Sequence, residues 1–173
     1  IDLAHNFKTP EFKSIAEDLG FFIDESVEIK IEELETSPGV YLKTGVYDNS
    51  TNTIYISPNI YNNLLEQFPN RDINKLVEEV VLEEFVHSIV NNALRRYGTM
   101  NDGVFILNSD VPVALIRLMK LYENVLQNTE DTNQYYLKDI YEFVAGVFVD
   151  ENFRSYLDTV KTKNGKTLLD TFK

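Results

Sequence analysis

The run from about Asp72 to Tyr97 holds neither Pro nor Gly, and its apolar residues recur at helical spacing, so it reads as one long helix. Val77, Val81, Phe85, Ile89 and Ala93 follow one another in steps of four along one face. Residues three and four apart on a helix are neighbours, so Glu83, Glu84 and His87 project together from the same segment. The rest of the chain has to be arranged around this element.

Before it, the signals are mixed. Thr9-Pro10-Glu11 starts a short helix, with Thr as cap, Pro at the first helical position and an acid in the first turn. Phe12, Ile15, Ala16 and Leu19 give that helix an apolar face, and Gly20 ends it. Val27, Ile29 and Ile31 alternate with polar residues as in a strand. Val40 to Tyr47 and Thr53 to Ser57 predict two more strands, joined through the turn-forming Asp48-Asn49-Ser50-Thr51-Asn52 as a β-hairpin. Ser57-Pro58 opens a helix with Ile60, Leu64 and Leu65 on its buried side, and Phe68-Pro69 stops it. Asn70 or Asp72 caps the long helix and Gly98 closes it.

After it, helices dominate. Thr99 to Asn108 is a connection containing the apolar run Val104 to Leu107. Ser109 or Asp110 caps a helix through about Gln127, with Val111, Leu115, Leu118, Tyr122 and Val125 on its inner face. A polar loop runs from Asn128 to Asn133. Asp139 caps a helix through about Val149, with a periodic pattern that extends a turn earlier, and Asp150 caps another through about Val160. Asn164-Gly165 is a turn, and Leu168, Leu169 and Phe172 belong to a terminal helix. Early strands, late helices and no internal repeat predict an α+β fold in a single domain spanning residues 1–173.

Composition narrows the function. At 173 residues, 43% hydrophobic and 25% charged, the chain has the balance of a soluble globular domain. No apolar run reaches the ~18 residues of a membrane span, and the start lacks the basic and apolar regions of a signal peptide. The start also lacks Met, from which a piece of a longer protein is expected. Cys is absent, which rules out disulfides and thiolate metal ligands. A formal net charge of −12 disfavours nucleic acid, which needs clustered Lys and Arg.

The chemistry concentrates in Glu83-Glu84-Phe85-Val86-His87. Zinc proteases carry H-E-x-x-H on a helix, two metal ligands at i and i+4 with a general-base Glu after the first. Here Glu84 fills the base position and His87 the second ligand position, while Glu83 stands where the pattern has its first His. Taken alone, the string reads more readily as a plain surface pair of Glu and His one helical turn apart.

A second stretch, Tyr135-Tyr136-Leu137-Lys138-Asp139-Ile140-Tyr141-Glu142-Phe143-Val144-Ala145-Gly146-Val147-Phe148, is similar to the second motif of zincin metallopeptidases of the anthrax lethal factor and Pro-Pro endopeptidase type. In that family a Tyr precedes, by seven residues, a Glu that opens Glu-Phe-Phe-Ala-Glu-x-Phe. Glu142 falls at the third-ligand position and Tyr135 at the oxyanion-stabilising tyrosine; Gly146 stands where the family has its second Glu. Gly45-Val46-Tyr47 and Thr53-Ile54-Tyr55-Ile56 resemble the hairpin ahead of the active-site helix, and the likeness runs from about residue 40 to about 157. Similar modules occur in large phage and mobile-element proteins, so the resemblance implies a virion-associated or cytoplasmic setting. Taken singly, Glu142 also reads as a solvated helix acid and Tyr135 as a surface aromatic in a chain with ten Tyr.

The resemblance implies a zincin-like fold, with a small sheet and hairpin, a long active-site helix and a helical C-terminal half. It implies Glu83, His87 and Glu142 as metal ligands and Glu84 and Tyr135 as catalytic residues. Glu83 would alter such a centre, because oxygen-rich ligand sets shift preference from Zn²⁺ toward harder divalent ions and weaken the metal as a Lewis acid. Without a metal, the same residues would form a Glu–His⁺ cluster. Two readings follow: a metallopeptidase domain of reduced or absent activity acting on a peptide or protein, or a non-catalytic binding or structural module of a larger protein.

Overall fold

Thr53-Ile54-Tyr55-Ile56 has no solvated face, and it forms the central strand of the main sheet. The computed structural model describes residues 7–14, 26–101, 104–129 and 134–161. Their architecture is α+β. The chain divides into two compact units, Ile1–Asn92 and Ala93–Lys173.

In the first unit, strands β1 (Glu28–Ile31), β4 (Gly45–Asp48) and β5 (Thr53–Ile56) make a three-stranded sheet in the order β1-β5-β4. β1 runs parallel to β5 in the register Ile29↔Ile54, and β4 runs antiparallel to it in the register Val46↔Tyr55. The predicted β4–β5 hairpin is present. Its turn is organised by the Asp48 carboxylate, which accepts from Ser50 N at 2.8 Å, Ser50 Oγ at 2.7 Å and Thr51 Oγ1 at 2.8 Å. Asn52 adopts φ 53°, a left-handed conformation that Asn tolerates.

The strand expected from Val40 to Tyr47 is two strands. β3 (Val40–Tyr41) pairs with β2 (Glu35–Ser37) in a separate small hairpin, and β4 begins only at Gly45. The turn between β2 and β3 uses Gly39 at φ 76°, which a side chain would resist.

Residues 10–14 are helical (α1), with Phe12 buried. The Glu78 carboxylate accepts from the backbone N–H groups of Lys8 at 2.6 Å and Thr9 at 2.9 Å just ahead of α1. The expected Ile15, Ala16 and Leu19 face and the Gly20 stop lie outside the described residues, as does the expected terminal helix around Leu168.

Helix α2 (Ile60–Gln67) starts two residues later than Ser57-Pro58 suggests, and Ser57 Oγ instead accepts from Asn59 N at 3.3 Å. Ile60 and Leu64 are buried, whereas Leu65, expected inside, is exposed. Helix α3 (Ile73–Tyr97) is the long element, and Asp72 Oδ1 accepts from Lys75 N at its start. Ile73, Leu76 and Phe85 of α3 join Val27, Tyr47, Ile54, Ile56, Ile60 and Leu64 in one core cluster, with Val77, Val80 and Val81 packed against it. Leu82, Val86 and Ser88 are buried as well, outside that cluster, and no residue from Leu82 to Asn91 is exposed. The helix is therefore covered on more than the single face its apolar steps of four suggest, and Ala93, at the end of that stripe, is exposed.

The second unit begins in the last turn of α3. β6 (Gly98–Asn101) and β7 (Val104–Leu107) pair antiparallel where the sequence suggested only a connection. Helix α4 (Val113–Asn128) follows, starting at Pro112 rather than at Ser109 or Asp110. A 3-10 turn, Tyr135–Leu137, precedes α5 (Ile140–Val149), and α6 (Glu151–Thr159) completes the described chain. Both expected caps are in place: Asp139 accepts from Tyr141 N and Glu142 N, and Asp150 accepts from Phe153 N. The buried Phe143 and Phe153 pack with each other and with the half-buried Tyr122 and Tyr136 as tilted and edge-on ring pairs. Among the described residues no helix is long and apolar enough to cross a membrane.

Candidate metal centre

The five residues singled out by sequence fall in both units, three in the first and two in the second. In the first unit, Glu83 and His87 lie one turn apart on the unbroken α3 and are both half-buried. That spacing places two potential donors on adjacent turns, the arrangement that lets one helix offer two ligands to one ion. Around His87 the helix carries small polar residues that are buried. Ser88 Oγ donates to Phe85 O at 2.8 Å and Asn91 Nδ2 donates to His87 O at 2.9 Å. These bonds satisfy buried polar groups within the helix itself and leave its backbone regular.

Glu84 turns toward the sheet and is 9% exposed. Its Cγ lies 3.1 Å from the point where a Cβ would stand on Gly45, the first residue of β4. A carboxylate thus lies beside the start of an edge strand, with Val80 Cγ1 and Ile56 Cδ1 at similar distances from the same point. Among the described residues β4 is bonded to β5 on one side and to no strand on the other.

In the second unit, Tyr135 and Glu142 meet. Tyr135 Oη donates to Glu142 Oε1 at 2.9 Å across the seven-residue interval that singled the two out. Glu142 sits in the first turn of α5, where its N–H is held by Asp139 Oδ1 at 2.9 Å. An acid in that position is also favoured by the helix dipole. Glu142 is buried at 9% exposure, whereas the Tyr135 ring is 58% exposed. The plain reading of Glu142 as a solvated helix acid is therefore incorrect.

The aromatic groups behind this pair titrate high. Burial pushes the Tyr122 phenol above its ordinary value, and the Asp139 charge adds to the shift. Burial and Asp139 do the same to Tyr141, against a smaller opposing effect of Arg95. Both hydroxyls therefore stay protonated at neutral pH, and Tyr122 uses its proton to donate to Leu137 O at 3.0 Å.

Sequence reasoning missed Tyr136 and the reason for Gly146. A Cβ at position 146 would lie 2.6 Å from Tyr136 Cδ1 and 2.8 Å from Phe153 Cδ1, closer than real side chains approach. The Tyr136 ring occupies the space that a side chain at 146 would need. A Tyr next to Tyr135 and a Gly inside a helix were the available signals, but their contact could not be read from spacing.

The donor types suit a divalent ion: carboxylates and an imidazole are ordinary zinc ligands, and the Tyr135 hydroxyl gives Glu142 the kind of outer hydrogen bond that orients a ligating carboxylate. No protein-family model, curated protein or solved structure matches this chain.

Proposed function

We propose that this chain is a zincin-like metallopeptidase domain whose activity is reduced or absent because Glu83 replaces the first His ligand. The observation that carries the reading is the 2.9 Å hydrogen bond from Tyr135 to Glu142, which joins the two residues expected to serve one centre. In this reading Glu83 and His87 of α3 and Glu142 of α5 hold the ion, and Glu84 and Tyr135 do the proton and oxyanion work. A bound divalent ion would supply Lewis acidity to a scissile carbonyl.

The remaining steps belong to the chain's own residues. Glu84, buried beside Gly45, holds the proton taken from the attacking water and returns it to the leaving amine. Tyr135, exposed on its solvent side, turns its hydroxyl from Glu142 to the oxygen on which charge develops. An extended peptide adds along the β4 edge, where main-chain hydrogen bonds supply affinity. Glu83 in place of an imidazole puts two carboxylates into the ligand set, which favours harder ions and lowers the Lewis acidity of any zinc held there.

The second reading, a non-catalytic binding or structural module, is favoured by position 146. Tyr136 fills the space where the resembling family carries a Glu, so that part of the site's support is replaced by packing.

Cleavage of a peptide library separates the two. The metallopeptidase reading expects slow or undetectable cleavage by the natural chain and faster cleavage by a Glu83→His variant. That cleavage stops with chelator and with Glu84→Gln added. A folded Glu83→His variant that takes up no zinc and cleaves nothing supports the module.

A further inference from the structure

We propose that Tyr136, seated on α5 at Gly146, is the positioning residue that holds the Tyr135 hydroxyl on Glu142. The inference rests on the reading of Tyr135 and Glu142 as parts of one centre and adds the device that sets their geometry.

Tyr135 is 58% exposed, so its own burial does little to fix its direction. The turn that carries it sets where its ring starts from. That turn is short, closed by Leu137 N donating to Gln134 O at 2.9 Å and Lys138 N donating to Tyr135 O at 3.1 Å. A 3-10 turn of three residues has little stability of its own and takes its orientation from what it is anchored to.

Two anchors lie immediately after Tyr135. Leu137 is buried, and its carbonyl accepts the Tyr122 hydroxyl. Tyr136 lays its ring on the α5 backbone at Gly146, with its centroid 4.9 Å from that of Phe153. The Tyr135 ring then stands edge-on to Tyr136, with centroids 5.4 Å apart and planes at 75°. The seat exists only because position 146 has no side chain. Any Cβ there meets Cγ and Cδ1 of Tyr136, which are rigid ring atoms next to the backbone rather than a flexible tip. Tyr136 would have to withdraw, and its chain neighbour Tyr135 would move with it. A displacement of about 1 Å takes a 2.9 Å hydrogen bond past the range in which it counts as one.

A double-mutant cycle on the full chain, read by thermal unfolding in chelator-treated buffer, tests this without any metal. Tyr135→Phe is measured in the natural background and in Gly146→Ala, Tyr136→Ala and Tyr136→Phe backgrounds. The expected result is a drop in Tm of about 2–4 °C in the natural and Tyr136→Phe backgrounds, where the ring stays seated. In the Gly146→Ala and Tyr136→Ala backgrounds Tyr135→Phe gives no further drop. If Gly146→Ala does not fold, Tyr136→Ala carries the comparison. The same drop in every background would overturn the proposal, because Tyr135 would then find Glu142 without the seat. Loss of the metal reading shows in metal content and leaves this cycle unchanged, so the two failures are told apart.

Discussion

Glu78 shows how a single acid ties distant chain together. Burial alone would raise its carboxyl, but the Thr9 hydroxyl and the N–H groups of Lys8 and Thr9 outweigh burial and hold it below its ordinary value of 4.5. A depressed folded value means the stabilisation is present at neutral pH and is lost as pH falls below 4.5 through the folded value. The natural chain should therefore lose more stability than Glu78→Gln between about pH 5 and about pH 3, measured as the shift in urea midpoint. Equal losses in the two proteins would show that the contact with residues 8 and 9 contributes nothing in solution. At the same scale, Glu83, Glu84 and His87 were legible because helical spacing needs only a count of residues. Tyr135 and Glu142 were singled out by resemblance, and their hydrogen bond makes them partners within the second unit. Gly146 was legible only as a departure; its cause is the Tyr136 ring, ten residues earlier, and contact of that kind depends on how a turn folds back on a helix.

Elements were read best where one local signal decided them. α3 ends where its periodicity ends, and Asp139 and Asp150 cap the helices they were expected to cap, because caps and periodicity act within a few residues. The β4–β5 hairpin follows its polar turn. The β2–β3 and β6–β7 hairpins were missed, although Pro38-Gly39 and Asp102-Gly103 are turn signals, because their strands are short and lack a clean alternation. The burial of α3 beyond its apolar stripe was missed because it is imposed by packing rather than by composition. β5 tests this account of the first unit. Ile54 is fully buried at the centre of the sheet, and Ile31 on edge strand β1 is 72% exposed. Ile54→Ala should cost about 2–5 kcal/mol by chemical denaturation. Ile31→Ala should stay within about 0.5 kcal/mol. Similar costs at the two positions would mean that β5 is not the central strand.

For the whole molecule, the absence of Cys leaves carboxylates and imidazoles as the side-chain means of binding an ion. The architecture is α+β, with the three-stranded sheet in the first unit and helices in both units. The functional proposal assigns Glu83, His87 and Glu142 to one ion. Metal content by mass spectrometry tests it most directly, on the natural protein and on Glu83→His, each after dialysis against zinc and against manganese and then against metal-free buffer. The expected result is near-stoichiometric zinc in Glu83→His, weaker retention in the natural chain with a relative gain for manganese, and loss of both when Glu142→Gln is added. Zinc retained undiminished after Glu142→Gln, or no metal held by either protein, would contradict it.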